Sequence, residues 1–481
     1  MSSTQRTAAA ATVLAGLLAC SPSTGASAPA TAGLAAESSG EPHAEHAGAA
    51  GIGDADFPLD GNGGYDVAHY GLRLDYDPRG KRLTGVTAVA AKATQPLTRF
   101  NLDLHGFEVG AVSVDGRQAA FSRSGDELTV TPGRPLAKGA KFVVKVAYSG
   151  RPEAIKDAAN LGTYGWITTS DGAFVTCEPN GAKTWFPAND HPSDKARFDF
   201  EITVPAGLTA LANGELVGKP RTSRGKTTFV WRERHPMATY LATATLGEFE
   251  LREGRTPGGI DNLAAVDPAF RSSLGRVYSL SGQITDYWAG IFGPYPFSST
   301  GGVVDDFATG YALENQTKPM YGGFDPDESI IAHELAHQWF GNSLSVRRWR
   351  DLWLNEGFAT YAEWLWAEHR GRGKAQETFD TQLARAATDP IWAYPPGRAK
   401  PDDLFNESVY TRGAMTLHAL REKIGDTDFF RLLKDWNTEH RYGHVTTAQF
   451  IAMAEKVSGK RLGSLFDAWL FTPRRPPADN R

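Results

Sequence analysis

At 481 residues the chain is long enough for two or three domains, and 41% hydrophobic with 22% charged residues is the make-up of a packed globular protein, which excludes a disordered or fibrous body. The formal charge is -5 with no long basic run. The short cluster Arg347–Arg350 ("RRWR") reads as a solvated face, so nucleic acid is not an expected partner.

The first element in chain order is an export signal. Arg6 precedes a short stretch of small apolar residues, Thr7 to Ala19, too short to span a bilayer, so residues 1–19 read as a signal peptide. It ends in Leu17-Leu18-Ala19-Cys20, which resembles a bacterial lipobox with Cys20 as the lipidated residue. Ordinary secretory cleavage near an Ala-rich site further on is the competing reading. Residues 20–60 are rich in Ser, Ala, Gly and Pro and are expected to be a disordered tether. The protein is therefore expected outside the cytoplasmic membrane, as a surface lipoprotein or a secreted protein, touching membrane only through a lipid on Cys20. With Cys20 lipidated, Cys177 would be left without a disulfide partner.

From residue 61 to 250 short alternating or β-branched runs broken by Gly, Pro and Asp predict a mostly antiparallel β domain. Examples are "YGLRLDYD", "KFVVKVAYSG" and "FDFEITVP". Residues 251–481 form the second domain, α+β in character. A helical period begins near Ser273, followed by a Gly-rich strand region, "GGVVDDFATGYALENQT". Helices are expected at about Glu328 to Asn342, Leu354 to His369, Thr411 to Ile424 and Phe429 to Asn437. Two last helical pieces lead into a Pro-rich basic tail.

The segment "IAHELAHQWFGNSLSVRRWRDLWLNEGFATY" carries the chemistry. His333 and His337 are four apart, so on a helix both imidazoles leave one face, about one turn apart. Glu334 adjoins the first histidine, where its carboxylate can reach a metal-held water without being a ligand. Catalytic zinc takes three protein ligands and keeps one position open. Glu356, nineteen residues after His337 and near the start of the next helix, is the candidate third ligand. Asp351 and Glu363 are candidates to orient the imidazoles. An HExxH match alone arises by chance at roughly the per cent level in a chain this long. The competing reading is an amphipathic helix whose histidines are satisfied in the core; the pair spacing and the third acid favour a metal. The surrounding Trp339, Phe340, Trp349, Trp353, Trp364 and Trp366 read as core.

These residues resemble the zinc signature of the aminopeptidase N family of gluzincin metallopeptidases, which also holds leukotriene A hydrolase. "GYALENQT" resembles the family's Gly-Ala-Met-Glu-Asn segment and implies that Glu314 binds the substrate's free amine. "VYTRGAMTLHAL" implies that Tyr410 stabilises the oxyanion, and "TCEPNGAKTWFPANDHPSDKARF" implies a second amine-binding acid, Glu178. "MATYLATATLGEFE" is similar to the closing strands of the family's β domain. The likeness covers about Tyr65 to Pro473 and implies a thermolysin-like fold for the α+β domain. It also implies one Zn2+ per chain, held by His333, His337 and Glu356, with Glu334 as general base. The expected function is a metallo-aminopeptidase that acts alone as a monomer on peptide substrates through a zinc-activated water. A zinc endopeptidase or an epoxide hydrolase on the same metal site is the alternative. A non-enzymatic binding module would call for a damaged metal set, and all four residues are present.

The sequence departs from the family pattern at three points. Tyr311 stands where that segment begins with Gly, with Leu313 for its Met. Thr176 stands where Gln is common, two before Glu178. The chain ends soon after the zinc domain, so the family's large helical C-terminal domain is expected to be missing and the cleft open.

Overall fold

The computed structural model describes residues 46–157 and 161–477. The expected signal peptide, Cys20 and the tether as far as residue 45 lie outside the described residues.

Strands β1 (Tyr65–Asp77) and β2 (Arg82–Ala93) open a nine-stranded sheet among the described residues. Both alternate buried and exposed side chains, as a sheet with one wet face requires. Pairing is antiparallel throughout the sheet except where β1 meets Lys195–Pro205, which runs parallel in the register His69↔Arg197 to Asp75↔Thr203. Such a pair needs a long crossover, and the intervening chain supplies three strands of a second sheet, Ile155–Asp157, Gly162–Thr168 and Ala173–Thr176. That sheet joins Thr209–Ala212, Ala244–Gly247, Ala173–Thr176, Gly162–Thr168 and Ile155–Asp157. Its strand Ala173–Thr176 delivers Glu178 to the site.

A third sheet orders Glu250–Arg255, Asp261–Val266, Ser299–Asp305, Met320–Gly322 and Ala312–Leu313, and packs under helix α1 (Leu274–Phe292). Helices α2 (Glu328–Ala336) and α3 (Trp353–His369) follow. Asp327 caps α2 by accepting from the Ser329 and Ile330 amides at 2.8 and 3.0 Å. The expected helix to Asn342 is cut short. Gly341 sits at φ +127°, a conformation that side chains rarely adopt, so the chain reverses at a point that favours glycine.

The tether expectation fails for residues 46–60, which are packed. His46 and Ala47 bond to the segment near Arg99. Asp54 is 2% exposed, pairs with His191 at 3.4 Å and accepts from the Trp349 amide at 3.3 Å. Arg350 grips Asp56 at 2.6 Å, and Phe57 lies against the Trp349 ring. Order here comes from distant partners rather than from local apolar content.

All six aromatic residues expected in the core are buried. Phe340 stacks on Phe358 at 4.4 Å, and Trp353 meets Phe450 edge-on. Where α3 crosses the helix Gly413–Ile424, Gly357 faces Gly413; a Cβ on Gly357 would lie 2.9 Å from the Gly413 backbone. The two helices touch main chain to main chain.

Candidate active site

The α2 spacing sends His333 and His337 to one face, and α3 returns antiparallel to bring Glu356 between them. His333 Nε2 and His337 Nε2 lie 3.3 and 3.4 Å from Glu356 Oε2, and the three ligand atoms all fall within 4.8 Å of one another. A tetrahedral zinc with bonds of about 2.1 Å has ligand–ligand edges of about 3.4 Å, so this donor set fits the metal. All three side chains are buried.

The outer ring nitrogens are occupied. His333 Nδ1 meets Glu363 Oε1 at 2.8 Å, and Glu363 Oε2 accepts from Ser329 Oγ at 2.8 Å. His337 Nδ1 donates to the Phe340 carbonyl at 3.0 Å. This network assigns the proton to Nδ1 in both rings and turns both Nε2 lone pairs toward Glu356. Of the two acids expected to orient the imidazoles, Glu363 does so and Asp351 does not. Asp351 lies in the turn before α3 and accepts from Thr447 N and Oγ1 at 3.2 and 2.6 Å, bracing the start of the helix Thr447–Ser458.

Burial opposes charge on Glu356, but the imidazoles of His337 and His333 outweigh it and hold its pKa down at about 2. Glu334 goes the other way: burial, with Glu314 and Glu356 nearby, overcomes the two histidines and raises it to about 8. Glu178, Glu314, Glu334, Glu356 and Tyr410 all line one cavity of about 460 Å³ with the histidines. Burial, then each other's charge, pushes Glu178 upward. Burial likewise raises Glu314, with His337 opposing. One oxygen of each, Glu178 Oε1 and Glu314 Oε1, is buried with no hydrogen-bond partner among the described residues. Tyr410 sits in a widened π-helical turn, Ser408–Arg412, its ring 6.2 Å from that of His333. Burial and the four glutamates keep its phenol protonated.

Every residue singled out from the sequence for the site, Asp351 excepted, is thus gathered in this cleft. Sequence reasoning passed over Gln338 and Asn342, although both stand in the quoted "HQWFGN". Their side-chain amides donate to the Glu314 carbonyl at 3.2 and 2.7 Å, and Gln338 Oε1 accepts from Thr317 N. The turn after α2 therefore fixes the segment that carries Glu314. Lys195 was also missed; its ammonium donates to the carbonyls of Asn342, Ser343 and Gly443, tying the β domain to the same turn. The two departures Tyr311 and Thr176 prove to be partners. The Tyr311 hydroxyl is 2.9 Å from Thr176 Oγ1 and donates to the Thr163 carbonyl at 2.7 Å, so its ring is fixed as a wall of the cavity.

Comparison with known proteins agrees with this geometry. A family model for the peptidase M1 N-terminal domain matches residues 67–241, and one for the peptidase family M1 domain matches residues 325–469. Probable aminopeptidase 2 of Sulfurisphaera tokodaii is 26% identical over 436 residues, 84% of this chain and 53% of that protein. Aminopeptidase N of Lactococcus lactis is 28% identical over 447 residues, 85% of this chain and 51% of that one. The chain spans about half the length of the curated relatives it matches. An M1 zinc metallopeptidase from Deinococcus radiodurans, known as a crystal structure, superposes with a TM-score of 0.82 at 30% identity, covering 89% of this chain and 98% of that one. A mutant of the Deinococcus enzyme bound to a Tyr-ser-ala substrate superposes at 0.80. With both domains matched and a donor set that fits zinc, the chain belongs to peptidase family M1, a family of zinc metallopeptidases.

Proposed function

We propose that this protein is a zinc aminopeptidase that releases the first residue of peptides outside the cytoplasmic membrane. The observation that carries the reading is the pair of buried acids beside the metal triad. Oxygens of Glu178, Glu314 and Glu356 lie within 4.8 Å of one another, and Glu178 and Glu314 each leave an oxygen without a partner among the described residues. A buried carboxylate without a partner is costly, so this end of the cleft is complementary to a cation with several N–H donors. The ammonium of a free peptide N-terminus is such a group. An internal peptide bond brings no charge there, which is why the site favours removal of one residue over internal cleavage. The Deinococcus relative described with a Tyr-ser-ala substrate supports peptides as the substrate class.

Bound by His333, His337 and Glu356, zinc supplies Lewis acidity at the scissile carbonyl and a water whose pKa falls to about 7. The positive charge of a bound zinc would offset the burial that raises Glu334, leaving a carboxylate that takes one proton from the attacking water as its oxygen bonds to the carbonyl carbon. When the C–N bond breaks, Glu334 hands that proton to the leaving amine, so the atoms balance with one water consumed. The Tyr410 hydroxyl donates to the carbonyl oxygen as negative charge develops, a contact that strengthens in the transition state. Glu314 and Glu178 hold the ammonium and set how far the peptide enters.

The test is Glu334→Gln assayed on an aminoacyl-anilide with zinc measured in parallel. The expected result is a fall of about 10²- to 10⁴-fold in kcat with zinc still near one per chain. Undiminished activity in the loaded variant overturns the mechanism. Equal cleavage of N-acetylated and free-amine peptides by the parent overturns the amine-directed reading.

A further inference from the structure

The packed segment 46–62 does more than lead into the β domain. Its Asp54 and Asp56 hold the turn that opens α3, through the Trp349 amide and the Arg350 guanidinium. Glu356 lies in the first turn of that helix. Six residues after Asp54, the Asp60 carboxylate reaches the turn that follows Glu178. Both of its oxygens lie 2.9 Å from Asn180 Nδ2, and the Asn180 carbonyl oxygen accepts from the Tyr164 hydroxyl at 2.8 Å. Asn180 is two residues after Glu178, inside a tight turn closed by the Gly181 amide on the Cys177 carbonyl at 2.6 Å. The segment itself is pinned again at Asn62, whose amide donates to Asn189 Oδ1. One short stretch thus holds the metal-ligand helix at one end and the turn of the second amine-binding acid at the other.

We infer that Asp60 is a positioning residue for substrate binding, acting through Asn180 to set the place of Glu178 relative to the metal triad. Three features favour a positioning role over a merely structural one. Asp60 is 7% exposed, so its hold on Asn180 is not shared freely with water. Among the described residues nothing hydrogen-bonds Glu178 Oε1, so its placement depends on the turn beneath it. The Asn180 amide has two oriented partners, Asp60 and Tyr164, which fix the plane of its side chain. Asp60 itself carries a raised pKa of about 7, from burial first and from Asp190 and Asp54 nearby, against the opposing charge of Lys183 and the Asn180 bond. A buried acid held at this cost of desolvation fits a group kept for what it orients.

The inference rests on the amine-binding reading of Glu178, and the experiment separates the two. KM and kcat are measured on a free-amine aminoacyl-anilide for zinc-loaded Asp60→Ala, Asp60→Asn, Glu178→Gln and the double variant Asp60→Ala/Glu178→Gln, with melting temperatures alongside. Asp60→Ala is expected to raise KM about tenfold with kcat within about threefold. Asp60→Asn keeps an acceptor oxygen for Asn180 and is expected to restore KM to within about threefold of the parent. In the Glu178→Gln background the Asp60→Ala effect on KM is expected to vanish, because the positioned group is already disabled. If Glu178→Gln raises KM but Asp60→Ala does not, or if the Asp60→Ala effect persists undiminished in the double variant, the positioning role is overturned. If Glu178→Gln leaves KM unchanged, the amine-binding reading fails and takes the inference with it. Asn180→Ala repeats the comparison from the half-buried side of the contact, so that poor folding of Asp60→Ala leaves the question answerable. Parent-like KM in a folded, zinc-loaded Asn180→Ala likewise overturns the role.

Discussion

Substituting Glu363 probes how the metal ligands are held. Among the described residues its carboxylate is the only side chain bonded to a ligand's outer nitrogen, at 2.8 Å from His333 Nδ1, and Ser329 Oγ steadies its other oxygen. Without it, the His333 ring is free to rotate and to carry its proton on Nε2, the tautomer that cannot bind metal. Loss of such a partner costs about 10- to 100-fold in metal affinity, or about 1.4–2.8 kcal/mol. The Glu363 side chain is 29% exposed, so water replaces part of the lost bond and the effect belongs in the lower half of that range. Glu363→Ala is therefore expected to weaken zinc binding about 10- to 30-fold. Glu363→Gln, which keeps an acceptor but not the charge, is expected to weaken it by about threefold. His337 offers no parallel experiment, since a main-chain carbonyl holds it. The assay is zinc competition against a chromophoric chelator of known affinity. Parent-like affinity in a folded Glu363→Ala would refute the claim that this bond prepares His333 for the metal.

Two further outcomes are expected. His418 accepts from the Tyr361 hydroxyl at Nδ1 and meets Gln376 Oε1 at Nε2, and burial, then the Arg421 charge, holds its pKa down at about 4 from 6.5. Above pH 6.5 folded and unfolded chains are both neutral here; below it only the unfolded chain takes the proton until the pH nears 4, so stability is lost across that window. Allowing for partial solvent screening the loss is about 2 kcal/mol, read as urea unfolding of the parent against His418→Gln at neutral pH and near pH 4; parallel pH curves would refute it. Tyr311→Ala, which removes a fixed wall of the cavity, is expected to raise kcat/KM for substrates with a bulky first residue about tenfold relative to alanyl substrates; an unchanged preference across an aminoacyl-coumarin panel would refute that.

The metal triad was legible because helical spacing converts His333 and His337 into one face without further information, and because a returning helix has few acids to offer. Glu314, Glu178 and Tyr410 were legible only through family resemblance, since nothing local distinguishes a buried amine-binding acid from a structural one. The choice between Asp351 and Glu363 depended on which side of α3 faces α2, and the turn before that helix turned Asp351 away. Residues 46–60 misled because their order is bought by contacts with Trp349, Arg350, His191 and Asn180, all more than a hundred residues distant. Composition measures local apolar content and has no access to such partners.

The contact between Gly357 and Gly413 bears on how this site can diversify. Glu356 precedes the first glycine, and Tyr410 stands three residues before the second. With no side chain between the helices at this crossing, the separation of Glu356 from Tyr410 is set by backbone thickness. It cannot be adjusted by exchanging one residue for a slightly larger or smaller one. The reaction end of the cleft is thus a fixed gauge, and new substrate preferences have to be written on the opposite bank, where Tyr311 and Thr176 already show one pair of changed residues fitted to each other.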